Sequence, residues 1–150
     1  MRITGVIMVV MLLAMTSGVL QAESMSPVGV WRTIDDKTKK ERSVIRISEA
    51  EGGELRGVVE KIFDQPGDDP AHLCKECKAE RKDQPIIGMT ILWGLKKDGE
   101  GWAGGEILDP KNGKIYRAKM SLSEDGNSLN VRGFIGFSLI GRTQTWHREP

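Results

Sequence analysis

Aromatic residues, histidine and cysteine are all scarce in this sequence of 150 residues. It has four tryptophans, three phenylalanines, one tyrosine, two histidines and two cysteines. With His72 and His147 as the only imidazoles, no motif indicates a Ser-His-Asp arrangement, and a zinc site would lack a fourth ligand near its other three. Because no grouping of acid, base, nucleophile or metal ligands stands out, we expect a protein that is not an enzyme and that uses no cofactor or metal.

Long hydrophobic runs are missing beyond residue 22. Met1 and Arg2 give a positive start, residues 6–15 are apolar, and small or polar residues lead to Ala22. This is the pattern of a secretory signal peptide over residues 1–22, cleaved near Ala22. The apolar run falls short of the roughly 20 residues that span a bilayer, and no cysteine near the cut could carry a lipid. We therefore expect a soluble periplasmic or secreted domain, residues 23–150, without stable membrane insertion.

An excess of charge of one sign is also lacking. The chain has 22 basic and 21 acidic residues, and removal of the signal takes away only Arg2, so the mature chain is neutral. This balance argues against nucleic acid as a partner and against a general attraction to anionic lipid. The absence of repeats, Pro-rich tracts and low-complexity runs indicates one domain, which we expect to be monomeric.

Turn signals rich in Gly, Asp and Asn recur along the mature chain, and short β-prone segments lie between them. Eight strands are predicted, over residues 29–34, 43–48, 54–63, 89–96, 102–108, 114–122, 128–135 and 142–148. Because tight hairpins leave two unpaired edges unless the sheet closes, the predicted fold is an all-β, single antiparallel up-and-down eight-stranded barrel, with a sandwich as the alternative. Only residues 70–82 suggest a helical period.

Alternation along individual strands predicts which faces are buried. In the sixth strand Tyr116, Ala118, Met120 and Leu122 share one face, which is typical of a sheet that is wet on the other side. In the fifth strand Glu106 falls on the mostly apolar face of Trp102 and Leu108, where a carboxylate would mark a site, although the opposite face could equally be the inner one. The pair of glycines at 104 and 105 predicts a bend or bulge.

The cysteines at 74 and 77 form a single close pair. In an oxidising periplasm they are expected to form a disulfide, Cys74 to Cys77, which clips the long connection between the third and fourth strands. Two alternatives stay open: the spacing matches that of thiol oxidoreductases, and His72 could join the thiols in a zinc site.

The candidate ligand-binding residues are those that could line the open mouth of a barrel: Trp102, Glu106, Tyr116, Arg132 and Trp146. In the last strand Arg142, Gln144, Trp146 and Arg148 share one face. A mixed cationic and aromatic face of this kind can hold a polar or amphipathic ligand, or it can be an arginine stacked on tryptophan that plugs the barrel.

Two resemblances bear on the fold. Gly29-Val30-Trp31, with Arg142 and Arg148 in the last strand, resembles the lipocalin and calycin signature, in which Gly-x-Trp packs against a basic residue of the final strand. This implies structural roles for Gly29, Trp31 and Arg148 and a lipocalin-like barrel. Nearly the whole mature chain also resembles an uncharacterised secreted bacterial family, domain of unknown function 2147, which implies the same barrel and no catalytic residue. The matching segments are residues 29–31, 74–77, 102–105, 109–116, 132–136 and 142–148.

Two function hypotheses follow. The first is a binding protein for a small hydrophobic or amphipathic ligand held in the barrel mouth. The second is an envelope protein-binding module, an enzyme inhibitor or accessory protein, that uses the loop over residues 64–85, because a pinned loop costs less to order on binding. Exposed aromatic residues in the barrel mouth would favour the first hypothesis, and exposed aromatic residues on or beside the loop would favour the second.

Overall fold

The computed structural model describes residues 25–150, and the predicted signal peptide lies outside them. Each strand pairs antiparallel with the next, and the last returns to the first, so the sheet closes into a barrel in sequence order. The eight strands are β1 (Gly29–Ile34), β2 (Glu41–Glu49), β3 (Leu55–Ile62), β4 (Thr90–Asp98), β5 (Gly101–Asp109), β6 (Lys114–Leu122), β7 (Ser128–Phe134) and β8 (Gly141–Arg148). The predicted all-β barrel is confirmed, and the strand bounds differ from the prediction by at most two residues.

Alternation sets the inner faces of most strands. In β6 Ala118 and Met120 are buried, while Arg117 and Lys119 are exposed, as the sequence predicts. Successive side chains of a strand point to opposite faces, so the apolar set of each strand meets those of its neighbours inside the barrel. The core contains large side chains that are fully buried, among them Trp31, Ile45 and Leu129.

A bulge interrupts this alternation in β5. The pairing of β5 with β6 shifts register between Trp102 and Gly105, and Gly104 has a φ of +78°, which favours glycine. Trp102 and Gly105 both face the core as a result. A Cβ at Gly105 would lie 2.4 Å from the carbonyl oxygen of Trp93, so this position requires glycine. The predicted bend at the paired glycines is therefore confirmed.

One end of the barrel is sealed by an arginine stacked on a tryptophan. The Arg148 guanidinium lies 4.3 Å from the ring centroid of Trp31. Arg148 also donates hydrogen bonds to the carbonyl oxygens of Ser26, Val28 and Gly126, at 2.7, 3.0 and 2.8 Å. One side chain thus joins the N-terminal segment, the last strand and the β6–β7 turn.

Gly29 makes room for this seal. Its φ is +141°, and a Cβ there would lie 2.7 Å from Nη1 of Arg148. A larger residue would therefore both strain the backbone and displace the guanidinium. The geometry agrees with the structural roles that the resemblance implies for Gly29, Trp31 and Arg148.

The connection between β3 and β4 is the one long loop among the described residues, and it contains a single 3-10 turn, Ala79–Arg81. The helical period suggested for residues 70–82 is thus realised only in that turn. Among residues 25–150, no helix has the length and apolar character needed to cross a membrane.

Replacing Arg148 by Ala should lower the free energy of unfolding by about 3 kcal/mol, because it removes three hydrogen bonds from a charged group and a cation–π contact. Arg46→Ala is the matched control: Arg46 pairs with Glu60 on the exposed surface, so its loss should cost less than about 1 kcal/mol. Urea unfolding followed by tryptophan fluorescence measures both. Equal decreases in the free energy of unfolding of the two variants would show that the seal has no special role in stability.

Candidate ligand cavity

A cavity of about 910 Å³ opens at the end of the barrel opposite the Arg148 seal. Its mouth is surrounded by the β1–β2, β5–β6 and β7–β8 turns and by the long loop. The inner wall is mostly apolar, and all eight strands contribute residues to it. Its apolar strand members are Ile34, Val59, Ile62, Ile91, Ile107, Leu108, Tyr116, Val131, Phe134 and Trp146.

Few polar side chains reach the inner wall, and those that do are bonded to one another. The hydroxyl oxygens of Thr33 and Ser43 lie 2.7 Å apart, and the Ser43 amide donates to Thr33 Oγ1 at 3.1 Å. The indole Nε1 of Trp146 donates to Gln144 Oε1 at 3.4 Å. The wall therefore consists mainly of apolar surface and also carries a few fixed polar groups, which is the usual composition of a small-molecule pocket.

Gly133 packs closely against Ile107 and Tyr116 in the cavity wall. A Cβ at this glycine would lie 3.3 Å from a methyl group of Ile107 and 3.5 Å from Cβ of Tyr116, so a side chain here would be crowded. Asn112 Nδ2 donates to the phenolic oxygen of Tyr116 at 3.1 Å, so the ring is tied to the β5–β6 turn at the rim. The close packing at 133 and the tethered ring at 116 together shape one side of the cavity.

Tyr116 and Trp146 are the two predicted ligand-binding residues that line the cavity. The other three predicted residues do not line it. The bulge in β5 explains Glu106: it shifts the alternation, so Glu106 lies on the outer surface and accepts a hydrogen bond from Trp93 Nε1 at 3.0 Å. Of the two faces considered for Glu106, it therefore lies on the outer one.

Trp102 and Arg132 lie outside the cavity lining for different reasons. Trp102 packs inward near the β4–β5 turn, at the sealed end of the barrel, with Lys97 Nζ 4.1 Å from its ring centroid. Arg132 is outside the cavity wall and stabilises its own β7–β8 hairpin, donating to the Ser138 carbonyl at 2.6 Å and to Thr143 Oγ1 at 2.9 Å. Neither side chain is placed to touch a molecule in the cavity.

The shared face of β8 serves both of the roles considered for it. Arg148 seals the closed end, Gln144 and Trp146 form the wall, and Arg142 lies at the mouth, where its Nε is 3.3 Å from Asp36 Oδ2. The plug and the ligand-facing wall are therefore successive positions along one strand face.

The mouth carries charges of both signs, and many are paired. Lys75 Nζ lies 3.1 Å from Asp69 Oδ2, and Arg42 Nη2 donates to Asp68 Oδ1 at 3.1 Å. These pairs hold the pKa of Asp69 below its ordinary value through the Lys75 ammonium, and the pKa of Asp68 below its ordinary value through the Arg42 guanidinium. The rim cations Lys37 and Lys111 also face the opening.

The long loop forms one wall of the mouth and is anchored at several points. Arg42 of β2 holds Asp68, and the Gln65 side-chain amide donates to the Glu41 carbonyl at 3.2 Å. Leu73 and Pro85 form an isolated β-bridge that closes the middle of the loop. The residues that this loop contributes to the cavity lining are Gly67, Asp68, Asp69, His72, Leu73, Lys75, Glu76 and Ile86.

The cysteine pair fastens the loop to the β5–β6 turn. Cys74 and Cys77 form a disulfide, and both residues are buried. Cys74 Sγ lies 3.6 Å from the Pro110 carbonyl, and a Cβ at Gly113 would lie 1.9 Å from the Glu76 carbonyl, so the two segments are in tight contact. The predicted disulfide clip is confirmed.

The proposed zinc alternative finds no support in this arrangement. Each thiol is bonded to the other, and His72 Nε2 lies 3.0 Å from Asp64 Oδ1. Within residues 25–150, no group of three or more His, Cys, Asp or Glu side chains is placed to hold a metal ion.

An eight-stranded up-and-down barrel, sealed at one end by arginine on tryptophan and open at the other, has lipocalin-like architecture. The family model described as "Uncharacterized protein conserved in bacteria (DUF2147)" matches residues 29–148. The chain therefore belongs to this family.

A solved structure gives the same fold. It is protein HP1028 from the human pathogen Helicobacter pylori, described as belonging to the lipocalin family. The two structures superpose with a TM-score of 0.71 at 20% identity, over 83% of this chain and 84% of that chain. At this identity the likeness shows the fold. No curated protein matches the chain.

Sequence reasoning missed two parts of the site. One is the Thr33 and Ser43 pair, whose hydroxyls meet only because β1 and β2 place these residues opposite each other. The other is the β7–β8 turn, where Ile135 and Ile140 reach the mouth. The sequence does contain a signal for this turn, since apolar residues in a turn flanked by glycines are unusual.

We expect the attachment of the long loop to weaken in acid. Because Arg42 holds the pKa of Asp68 below its ordinary value of 3.8, this ion pair stabilises the fold fully at neutral pH. The stabilisation is lost as the pH falls through the folded pKa, when the carboxylate is protonated. Hydrogen-exchange protection factors for amides of residues 64–85, measured from neutral pH down to about 3, should fall across that range.

Asp68→Asn isolates the contribution of this pair. The variant should already have lower loop protection at neutral pH and a smaller further decrease in acid, with the remaining decrease due to Asp69, whose pKa is also lowered by the Lys75 ammonium. If wild type and variant lost loop protection in parallel, the pair between Arg42 and Asp68 would not be the anchor.

Proposed function

We propose that this chain is a periplasmic or secreted binding protein that holds a small hydrophobic or amphipathic molecule in the barrel. The export signal over residues 1–22 supports the address, although it lies outside the described residues. The observation that carries the proposal is the cavity of about 910 Å³, lined mainly by apolar side chains and open at one end only. Small eight-stranded barrels are often filled by their own side chains, so a void of this size favours a bound ligand.

The distribution of polar groups suggests how such a ligand would lie. The strand wall is mostly apolar, and its hydroxyl pair, Thr33 with Ser43, is internally bonded. Lys37, Lys111 and Arg142 instead stand at the rim. We therefore propose that the apolar part of the ligand enters first and that its polar end stays at the mouth, where desolvation is less costly.

The positions of aromatic residues favour this hypothesis over a protein-binding loop. Residues 64–85 contain no Phe, Trp or Tyr. Trp93, beside that loop, is covered by the Arg81 guanidinium, which lies 4.9 Å from its ring centroid. Tyr116 and Trp146, in contrast, line the cavity. The envelope protein-binding module therefore stays the weaker alternative.

Native mass spectrometry of protein purified from a periplasmic extract, without refolding, tests the proposal. We expect a reproducible small-molecule adduct. In Tyr116→Ala the affinity for this molecule should fall about tenfold, because loss of the ring removes roughly 1.5 kcal/mol of apolar contact. Phe63→Ala is the matched aromatic control: Phe63 lies outside the cavity lining, with Lys61 Nζ 4.6 Å from its ring centroid.

Two results would count against a binding function. One is a bare mass under every extraction condition together with no uptake of an added fluorescent fatty acid. The other is an equal loss of adduct in Tyr116→Ala and Phe63→Ala, which would place the bound molecule elsewhere.

A further inference from the structure

The β7–β8 turn, residues 135–140, carries a cluster of exposed apolar side chains that the ligand site does not explain. Ile135, Phe137, Leu139 and Ile140 have 61, 78, 90 and 66% of their surface exposed. Ile115, on the outer face of β6, is 46% exposed and lines the same shallow surface depression as Ile135. We call these five residues the apolar tip. Exposed apolar clusters on a protein surface mark interaction sites.

Hydrogen bonds hold this turn in a defined shape. The amide of Ile135 donates to the Ile140 carbonyl at 3.1 Å, and the amide of Ile140 donates to the Phe137 carbonyl at 3.0 Å. From β7, Arg132 Nε donates to the Ser138 carbonyl at 2.6 Å. Phe137 and Leu139 therefore project outward from a turn of defined shape.

Basic residues surround the apolar tip, although the whole mature chain is neutral. Residues 114–148 contain six basic residues and two acidic ones. Arg148 and both acidic residues, Glu124 and Asp125, lie at the sealed end, which leaves five basic residues away from it. Arg117, Arg132 and Arg142 lie in the halves of β6, β7 and β8 nearest the apolar tip.

Acidic residues on neighbouring elements face this basic set. Glu76 lines the same depression as Ile115 and Ile135, together with Lys78, Arg81 and Lys114. Asp36 Oδ2 is 3.3 Å from Arg142 Nε, and Glu106, opposite Arg117 in the β5–β6 pairing, accepts a hydrogen bond from Trp93. Arg132 donates to a carbonyl and a hydroxyl oxygen. The side of the barrel beside the apolar tip therefore keeps a positive excess.

We propose that the apolar tip docks into the interfacial region of a phospholipid bilayer that contains anionic lipids. Apolar side chains that enter the acyl boundary and basic residues that meet anionic headgroups are the two contributions that hold a peripheral protein at a membrane. The docking is peripheral and reversible, which is compatible with a secreted domain.

The position of the apolar tip links this docking to the cavity. Ile135 and Ile140 belong both to the tip and to the cavity mouth. A docked barrel would present its opening to the lipid, so an amphipathic molecule could pass between bilayer and cavity along an apolar path. A self-association site is less suited to these features, because a single six-residue turn is small against the roughly 1,000 Å² of a stable interface.

Co-sedimentation with vesicles tests the proposal directly. We expect the protein to bind vesicles of phosphatidylcholine with added phosphatidylglycerol, to bind phosphatidylcholine alone much more weakly, and to be released by high salt. The double variant Phe137→Ser and Leu139→Ser should bind at least about tenfold more weakly. Val28→Ser is the matched control, because Val28 is an exposed apolar residue at the sealed end.

A second pair of variants tests how much the basic residues contribute to vesicle binding. Arg117→Gln should weaken binding about fivefold, since one basic residue near an anionic surface contributes about 1 kcal/mol. Lys96→Gln, at an exposed position near the β4–β5 turn, should leave binding unchanged. Circular dichroism of every variant establishes that the barrel is intact.

Tyr116→Ala separates this proposal from the ligand-binding function, because it should lose the small-molecule adduct and keep vesicle binding. The proposal would be overturned by absence of vesicle binding, or by binding that is equal for the wild type and the double variant. It would also be overturned if the wild type formed a dimer in sedimentation velocity that the double variant abolished, with no vesicle binding, which would assign the apolar tip to a second copy.

Discussion

Closure of the sheet between β1 and β8 is the constraint on which the other features depend. The seam is short, with Trp31 opposite Arg148 and Arg32 opposite His147. Side chains reinforce it: the Arg148 guanidinium stacks on Trp31, and Arg32 Nη2 donates to Glu149 Oε2 at 2.8 Å. An open sheet of eight strands would expose two edges and leave its inner apolar face uncovered. Only after closure does an interior exist that can be divided into a packed core and a cavity.

The sealed end and the open end divide the interior unevenly. Near the seal, large side chains such as Trp31 and Leu129 fill the space completely. Toward the mouth, the strands surround a cavity, and the long loop forms a wall instead of a plug. The disulfide and the pair between Arg42 and Asp68 keep that wall in place. The cavity thus depends on a loop that is held away from the interior.

Period-2 alternation and turn signals were sufficient to predict the eight strands and their closure, because both are local properties of the chain. The inner faces were harder to predict. Gly104 and Gly105 were identified as a bend, but the bulge also reversed the face on which Glu106 lies, and one residue of offset moves every later side chain. Tyr116 lines the cavity as the alternation predicts, because β6 has no bulge. Trp102 lies near the sealed end of the barrel and not at the mouth, where the sequence analysis expects it. Long-range contacts such as that of Gly113 with Glu76 leave no local pattern in the sequence from which they could be predicted.

The seal at the Arg148 end also has a consequence for protein engineering. The residues that close the barrel belong to the strand ends and the N-terminal segment, while the turns at residues 35–40, 109–113 and 135–140 surround the mouth. Changes in these turns leave the seal untouched, so the sequences of the turns at residues 35–40 and 135–140 could be exchanged or randomised on a constant framework. The turn at residues 109–113 is restricted, because a Cβ at Gly113 would lie 1.9 Å from the Glu76 carbonyl. The barrel is in this respect a scaffold for display, in which new recognition surfaces could be selected at one pole.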